Sequence, residues 1–380
     1  MSSEREPLYI QIQNYFKELI STRQLREDDK IPTEKEMIEQ FKVSRITVAN
    51  ALNELAREGW IYRIPGRGTF VKGVPEQEIS PEKSASAAAL DSSSHSERPK
   101  IGLIFPFVDD YFAIRLIRGI TDALEDSEYA LVMMFSFNSK EREKEIIRDL
   151  KNKVEALIIF PVDAEIYNEE IIALKMSEYP FVLIDRYLPG VETNAVYSDS
   201  QLAAKLAVDH LWSLGHREIA ICSDSPVPTV SVDDRINGYM NALRARGAMI
   251  NPALLLTDFD SDMDMLGPEH PLFRYIKNRV ATAFIALNGN LGFKIWSIAK
   301  RAGIKVPEEL SIVTFDNPSP MMEDLSLFTH INQSESDMGL KAGELILNIL
   351  KGKLLSTQNI RTVLEPKLVI KQTTAAINEL

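Results

Sequence analysis

The chain has 380 residues, with 43 Lys plus Arg against 55 Asp plus Glu, a formal net charge of -12 and 45% hydrophobic residues. At roughly 100–200 residues per domain that length fits two or three domains, and the apolar content excludes a wholly disordered chain. The single cysteine, Cys222, excludes an internal disulfide and suits a reducing compartment such as the cytoplasm, while no run of about 20 apolar residues and no secretory signal core is present.

The charge is unevenly spread. Residues 1–72 hold 12 Lys/Arg and 11 Asp/Glu, so the remaining residues carry 31 basic against 44 acidic side chains, a net of -13. Residues 41–72 hold six basic residues, Lys42, Arg45, Arg57, Arg63, Arg67 and Lys72, against two acids, Glu54 and Glu58, a small basic patch suited to a polyanion. Taken alone, such a patch is equally a solvated face.

Residues 1–72 read as three helices and a β-hairpin. Leu8, Ile12, Tyr15, Phe16, Leu19 and Ile20 recur at helical spacing. Thr33 followed by Glu36 predicts a capping box at the start of a second, short helix ending near Phe41. Ser44 is placed to cap a third helix whose stripe is Val48, Ala51, Leu52 and Leu55, ended by Gly59. WIYRI, PGRG and TFVKG then read as strand, tight turn and strand.

Two short helices and a hairpin describe an α+β winged helix-turn-helix head. Its third helix would offer Ser44, Arg45, Thr47 and, one turn on, Asn50 to base edges, and its wing would offer Arg67 to phosphate or a minor groove. The segments IPTEKEM and VSRITVANALNELAREGWIYRIPGRGTFV resemble the GntR-type DNA-binding domain. That resemblance implies DNA contacts at Thr33, Lys35, Ser44, Arg45, Thr47, Arg67, Gly68 and Thr69. Ala49 stands where many relatives carry a basic residue, which alters the sequence preference.

Residues 73–99 are rich in Ser, Ala, Pro and Glu and read as a flexible linker. From 100 to 380 apolar runs alternate with helical patterns in two series, predicting an α/β body of two lobes with parallel sheets. Ligands of such sheets bind beyond the carboxyl ends of the strands. Asp109, Tyr111, Phe112, Asp185, Arg186, Arg235, Asn288 and Asp316 fall at predicted strand ends. Carboxylates and guanidiniums beside aromatic plates suit a polyhydroxylated ligand, although each residue taken singly also reads as a loop residue, a helix cap or half of a structural ion pair.

The segments LGHREIAIC and VPEELSIVTFDN, with IGLIFPFVDDYFAIRLIRGI and PFVLIDR, resemble the LacI/GalR effector-binding module, related to periplasmic sugar-binding proteins. The resemblance implies effector contacts at Tyr111, Phe112, Arg235, Asn288 and Asp316. It also departs from that pattern, because Asn288 is followed by Gly289 where an Asp is frequent. A GntR-like head on this body is similar to AraR-type arabinose repressors. The expected protein is therefore a homodimeric repressor of double-stranded operator DNA, modulated by a small sugar such as L-arabinose, with no membrane partner.

Alternatives are a purine or other metabolite as effector, or a body that only dimerises. An aminotransferase-like enzyme body is disfavoured by the absence of a recognisable pyridoxal-lysine arrangement. No nucleophile elbow, HExxH or P-loop motif occurs, and the five histidines lack metal-ligand spacing, so no catalytic residue, cofactor or metal is expected. The run Asp258, Asp260, Asp262, Asp264 lacks the glycine of a calcium loop.

Overall fold

The computed structural model describes residues 8–21, 25–26, 29–41, 43, 47–48, 51–52, 55–56, 60–64, 68–72, 98–108, 110–162, 167–224, 229–257, 267–319, 326–355 and 358–377. Ser44, Arg45, Asn50, Arg67, Asp109, the linker up to residue 97 and the acidic run at 258–264 lie outside the described residues. The chain forms two compact units, Met1–Ser94 and His95–Leu380.

In the head, α1 (Leu8–Ser21) buries Ile12, Phe16 and Ile20 on one stripe. Before α2 (Glu34–Phe41), the Thr33 backbone N–H donates to Glu36 Oε2 at 2.7 Å, and the Glu36 N–H reaches back to Thr33 Oγ1 at 3.4 Å. This reciprocal box satisfies two helix-end donors, and its bonds hold the Glu36 carboxyl below the ordinary carboxylate value. Helical residues Val48, Ala51, Leu52 and Leu55 are fully buried with Ile12, Phe16 and Met37. Strands β1 (Ile61–Ile64) and β2 (Gly68–Val71) pair antiparallel, and Ile61 and Val71 enter the same core.

The body holds two six-stranded sheets. The first contains β3 (Lys100–Phe105), β4 (Ala130–Phe135), β5 (Ala156–Ile159), β6 (Phe181–Ile184), β7 (Ala195–Ser198) and β13 (Arg361–Leu364). Its order is β13-β7-β6-β5-β3-β4, with every pair parallel. The second contains β8 (Ile219–Cys222), β9 (Leu255–Leu256), β10 (Ala283–Ala286), β11 (Ser311–Phe315), β12 (Thr329–Asn332) and β14 (Lys367–Val369). Its order is β14-β12-β11-β10-β8-β9, parallel except for β14. Strands β5, β6, β8 and β10 are buried along their whole length, as strands covered on both faces must be.

The first lobe carries α3 (Tyr111–Leu124), α4 (Lys140–Leu150) and α5 (Glu169–Met176). The second carries α6 (Ser200–Ser213), α7 (Val230–Arg244), α8 (Pro271–Lys277) and α9 (Gly289–Arg301). The late helix α10 (Glu335–Leu350) follows β12 of the second sheet yet packs into the core of the first lobe through Met338, Ala342 and Ile346. The chain therefore crosses between lobes after β7, after β12 and between β13 and β14. Close approach of α3 and α10 depends on glycine: a Cβ on Gly119 would lie 1.9 Å from the Ser336 carbonyl oxygen, and one on Gly339 2.1 Å from that of Leu116.

Strand β9 is only two residues long: Asn251 caps a 3-10 turn, Pro252–Leu254, whose proline is preset for a helical φ, and Leu255–Leu256 alone pair with β8. Arg235, expected at a strand end, lies instead inside α7, which begins at Val230 because the Thr229 hydroxyl caps it by accepting from the Val232 N–H at 3.2 Å. Arg235 thus sits in its second turn.

Candidate functional site

A cavity of about 380 Å³ lies between the two lobes of the body, at the carboxyl ends of their strands. The first lobe contributes an apolar wall. Phe105 ends β3, Phe112 enters from the first turn of α3, and Phe160 and Val162 follow β5. The Phe105 and Phe160 rings meet edge to face at 4.9 Å, and Phe112 and Phe160 at 6.3 Å, so each ring fixes the next.

The second lobe contributes the polar wall. Arg235 is buried, with Nη1 donating to the Leu287 carbonyl at 2.8 Å and Nη2 to Gln333 Oε1 at 2.9 Å. Its guanidinium lies 4.4 Å from the Phe315 ring centroid, and its buried Nε has no hydrogen-bond partner among the described residues. Gln333 in turn donates from Nε2 to Asp316 Oδ1 at 2.5 Å. One amide therefore relays between the cation and the carboxylate and fixes both orientations. Burial lowers the Arg235 pKa from the ordinary arginine value, opposed by the charges of Asp316 and Asp185. Burial, then the neighbouring Glu335 carboxylate, push Asp316 well up from the ordinary value, and burial raises Glu335 as well.

Asp185 and Asp316 end equivalent strands in the two lobes. Both adopt left-handed backbone, with φ of 66° and 67°, a conformation that Asp tolerates better than most residues. Asp185 is also pushed up by burial. Its Oδ2 lies 3.7 Å from Arg186 Nε, while Arg186 Nη1 donates to the Pro161 carbonyl at 3.0 Å and its guanidinium sits 4.8 Å over Phe160.

Of the expected effector residues, Phe112, Asp185, Arg186, Arg235, Asn288 and Asp316 line this cavity. Tyr111 does not: it opens α3, and its ring lies 5.9 Å from the Arg115 guanidinium. Asn288 has a double role, since its Oδ1 caps α9 by accepting from the Leu291 N–H at 2.7 Å while its Nδ2 donates to Asp224 Oδ1 at 2.7 Å. Glycine follows it for a steric reason: a Cβ on Gly289 would lie 2.9 Å from Pro318 Cβ and 3.1 Å from Pro318 Cα.

Sequence reading missed Asp110, Asp224, Lys294, Gln333 and Phe160, all on the cavity wall. Asp110 was adjacent to a named residue and caps α3 through a 2.9 Å bond from the Ala113 N–H. Phe160 and Asp224 stand just past β5 and β8, where a strand-end rule also reaches. Gln333 follows β12, a strand absent from that reading, and Lys294 lies inside a helix, where no strand-end rule looks.

In the head, Thr33 is exposed and its hydroxyl donates to Glu36 Oε2 at 2.8 Å, so it serves the helix cap. Lys35 lies in α2 and Thr47 in the third helical stretch. Gly68 opens β2 with φ 128°, and a Cβ there would meet Lys30 Cε at 2.7 Å. Thr69 pairs with Arg63 across the hairpin, and its carbonyl accepts from the Ile31 N–H at 3.0 Å. The wing is thereby tied to the residues just before α2.

Comparison with known proteins divides the chain in the same way. Residues 8–71 match the model for bacterial regulatory proteins of the gntR family, and residues 208–374 match that for a periplasmic binding protein-like domain. The arabinose metabolism transcriptional repressor of Geobacillus stearothermophilus is 28% identical over 386 residues, covering 99% of this chain and 100% of that protein. A protein of the same description from Halalkalibacterium halodurans is 28% identical, covering 91% of each chain. Among solved structures, a LacI family transcriptional regulator from Enterococcus faecium with bound ribose superposes with a TM-score of 0.61 at 24% identity, covering 73% of this chain and 100% of that one. A CelR–cellobiose complex gives a TM-score of 0.62 at 20% identity, covering 87% and 91%.

Proposed function

We propose that this chain, a gntR-family regulatory head joined to a periplasmic binding protein-like body, is a sequence-specific transcriptional repressor whose operator affinity is set by a small sugar. The observation that carries the reading is the interlobe cavity, with fixed polar groups on one wall and aromatic rings on the other. Hydroxyls of a sugar exchange bonds with Asp316, Arg235 and Asn288, while its apolar face lies against Phe112 and Phe160. The near full-length likeness to two arabinose metabolism repressors makes L-arabinose the first effector to test.

The mechanism follows from the connections. Three crossings join the lobes, so a ligand touching both walls favours one lobe angle over another, a hinge closure. If operator and sugar prefer different lobe angles, each lowers the affinity of the other by the same factor. The head works as one of two copies on a two-fold operator, in which Arg45 is the residue proposed to read base edges and Arg67 the one proposed to contact phosphate or the minor groove. The protein acts in the cytoplasm; among the described residues no helix is long and apolar enough to cross a membrane.

The test is operator binding by fluorescence anisotropy, with and without L-arabinose, ribose, hexoses and purines, alongside thermal melting of the free protein. A sugar at about 100 times its Kd adds roughly 2.7 kcal/mol to the stability of the state that binds it. The expected result is a melting shift and operator release with one sugar. Arg45→Ala should lose operator discrimination by roughly 1–3 kcal/mol and keep the melting shift. Unchanged operator affinity and melting across the whole panel would overturn the sugar reading.

A further inference from the structure

Resting on the sugar reading above, we infer that Arg115 is a positioning residue that reaches across the lobes to hold Asp316 in its ligand-binding place. Arg115 lies in α3 of the first lobe, half-buried, and is not on the cavity wall. Its Nη1 donates to the Asn317 carbonyl at 3.2 Å and its Nη2 to the Ser319 carbonyl at 3.1 Å. Both acceptors belong to the loop that follows β11 in the second lobe, and both residues are buried. One planar guanidinium thus grips two carbonyls of the loop that begins at Asp316, a fork that an ammonium does not reproduce.

The first residue of that loop needs the grip. Asp316 holds left-handed backbone, with φ of 67°, and such a conformation persists only where the surroundings over-determine it. Upstream, the Asp316 N–H is tied to the Ile331 carbonyl at 3.0 Å, and Gln333 holds the carboxylate at 2.5 Å. Downstream, Asn317 Oδ1 accepts from the Ser319 N–H at 3.0 Å and from the Ser326 hydroxyl at 2.9 Å, which folds the loop on itself. Arg115 anchors that folded loop on the first lobe. At the matching strand end of the first lobe, Asp185 has a φ of 66°, and its neighbour Arg186 donates to the Pro161 carbonyl at 3.0 Å within the same lobe. The second lobe borrows its guanidinium from the first. The grip is made only where the lobe arrangement brings α3 to this loop, so that arrangement holds Asp316 ready for a ligand and others release it.

The first measurement needs no ligand. Hydrogen–deuterium exchange of the full-length protein, read on peptides spanning residues 311–319, should be about tenfold faster in Arg115→Gln. It should keep the wild-type rate in Tyr187→Phe, which breaks a different bond between the lobes, from the Tyr187 hydroxyl to Asp234 at 2.9 Å, made by two residues off the cavity wall. The second measurement is isothermal titration with L-arabinose, D-ribose and D-galactose, with melting curves as a check on folding. Arg115→Gln should weaken the sugar that the wild type binds by about tenfold, the order of one hydrogen bond to a charged group. Arg115→Lys keeps the positive charge that the Glu335 carboxyl feels but loses the fork, and should resemble Arg115→Gln more than the wild type. In an Asp316→Ala chain, where no carboxylate remains to be placed, adding Arg115→Gln should cost less than about twofold. Unchanged exchange in Arg115→Gln overturns the inference whatever the cavity binds. If the wild type binds a sugar, the inference fails alone when Arg115→Gln leaves the affinity unchanged, when its loss is as large without the Asp316 carboxylate, or when Arg115→Lys restores it fully. If the wild type binds none of the three sugars, the inference fails together with the sugar reading.

Discussion

The two lobes share a sheet architecture and end equivalent strands in a buried Asp with left-handed backbone, yet they equip the cavity differently. In the first lobe Asp185 lies beside its sequence neighbour Arg186, and Phe105, Phe112, Phe160 and Val162 give most of the remaining surface, with Asp110 and Asn138 beside them. In the second lobe Asp316 reaches Arg235 only through Gln333, which comes from a different strand. The first lobe supplies most of the apolar surface, and the second supplies the connected hydrogen-bond chain of Arg235, Gln333 and Asp316. Duplicated topology thus fixes where a site lies, while side chains at matching positions divide the chemistry.

The largest expected effect bears directly on that division. Arg235→Ala leaves the Leu287 carbonyl and Gln333 without their donor, which costs about 1–3 kcal/mol of stability for unsatisfied buried groups. It also removes the principal cation of the polar wall, so titration should show sugar affinity falling by about 100-fold or more, roughly 2.7 kcal/mol. Phe160→Leu on the opposite wall should weaken binding by only about tenfold, or 1.4 kcal/mol. Equal losses from the two variants would break the comparison.

A second test asks whether the lobes are separate in stability as well as in chemistry. Gly339→Val drives a side chain toward the Leu116 carbonyl and should destabilise the α3–α10 contact by about 3 kcal/mol. Since α10 is reached through a crossing from the second sheet, urea unfolding should remain a single transition at a lower midpoint. Two resolved transitions within the body, apart from that of the head, would show that the first lobe unfolds alone.

The smallest effect is pH-dependent and is assigned to the second lobe. His216 is buried among Thr282 Oγ1, Ser311 Oγ and the Ala375 carbonyl at 2.9, 3.0 and 3.1 Å. The Ala375 carbonyl accepts only, so Nε2 carries the proton and the neutral ring takes a bond from Thr282 at Nδ1. Burial lowers the His216 pKa below the ordinary 6.5. A folded value below the unfolded one means that this contribution to stability is complete above 6.5 and is lost as pH falls through 6.5 toward the lowered value. Melting temperature against pH should therefore drop across that window in the wild type and less in His216→Gln. An identical slope in both would remove His216 from the account.

Local pattern was enough for the elements that are stabilised locally. The Thr33–Glu36 capping box, the buried stripe of Val48, Leu52 and Leu55, and the wholly apolar strands β5, β6 and β10 are written in neighbouring residues. So were the strand-end positions of Asp185, Asn288 and Asp316 on the cavity wall, because an α/β sheet places its strand ends at a cleft. What only the tertiary structure decided is pairing across distance. Gln333 meets both Arg235 and Asp316 because β12 lies beside β11, and Lys294 meets Asp224 because α9 packs on β10, the neighbour of β8. Likewise α10 returns to the first lobe because Gly119 and Gly339 let two backbones approach within a distance that any side chain would block. Periodicity reports which face of an element is buried, and it carries no information about which partner buries it.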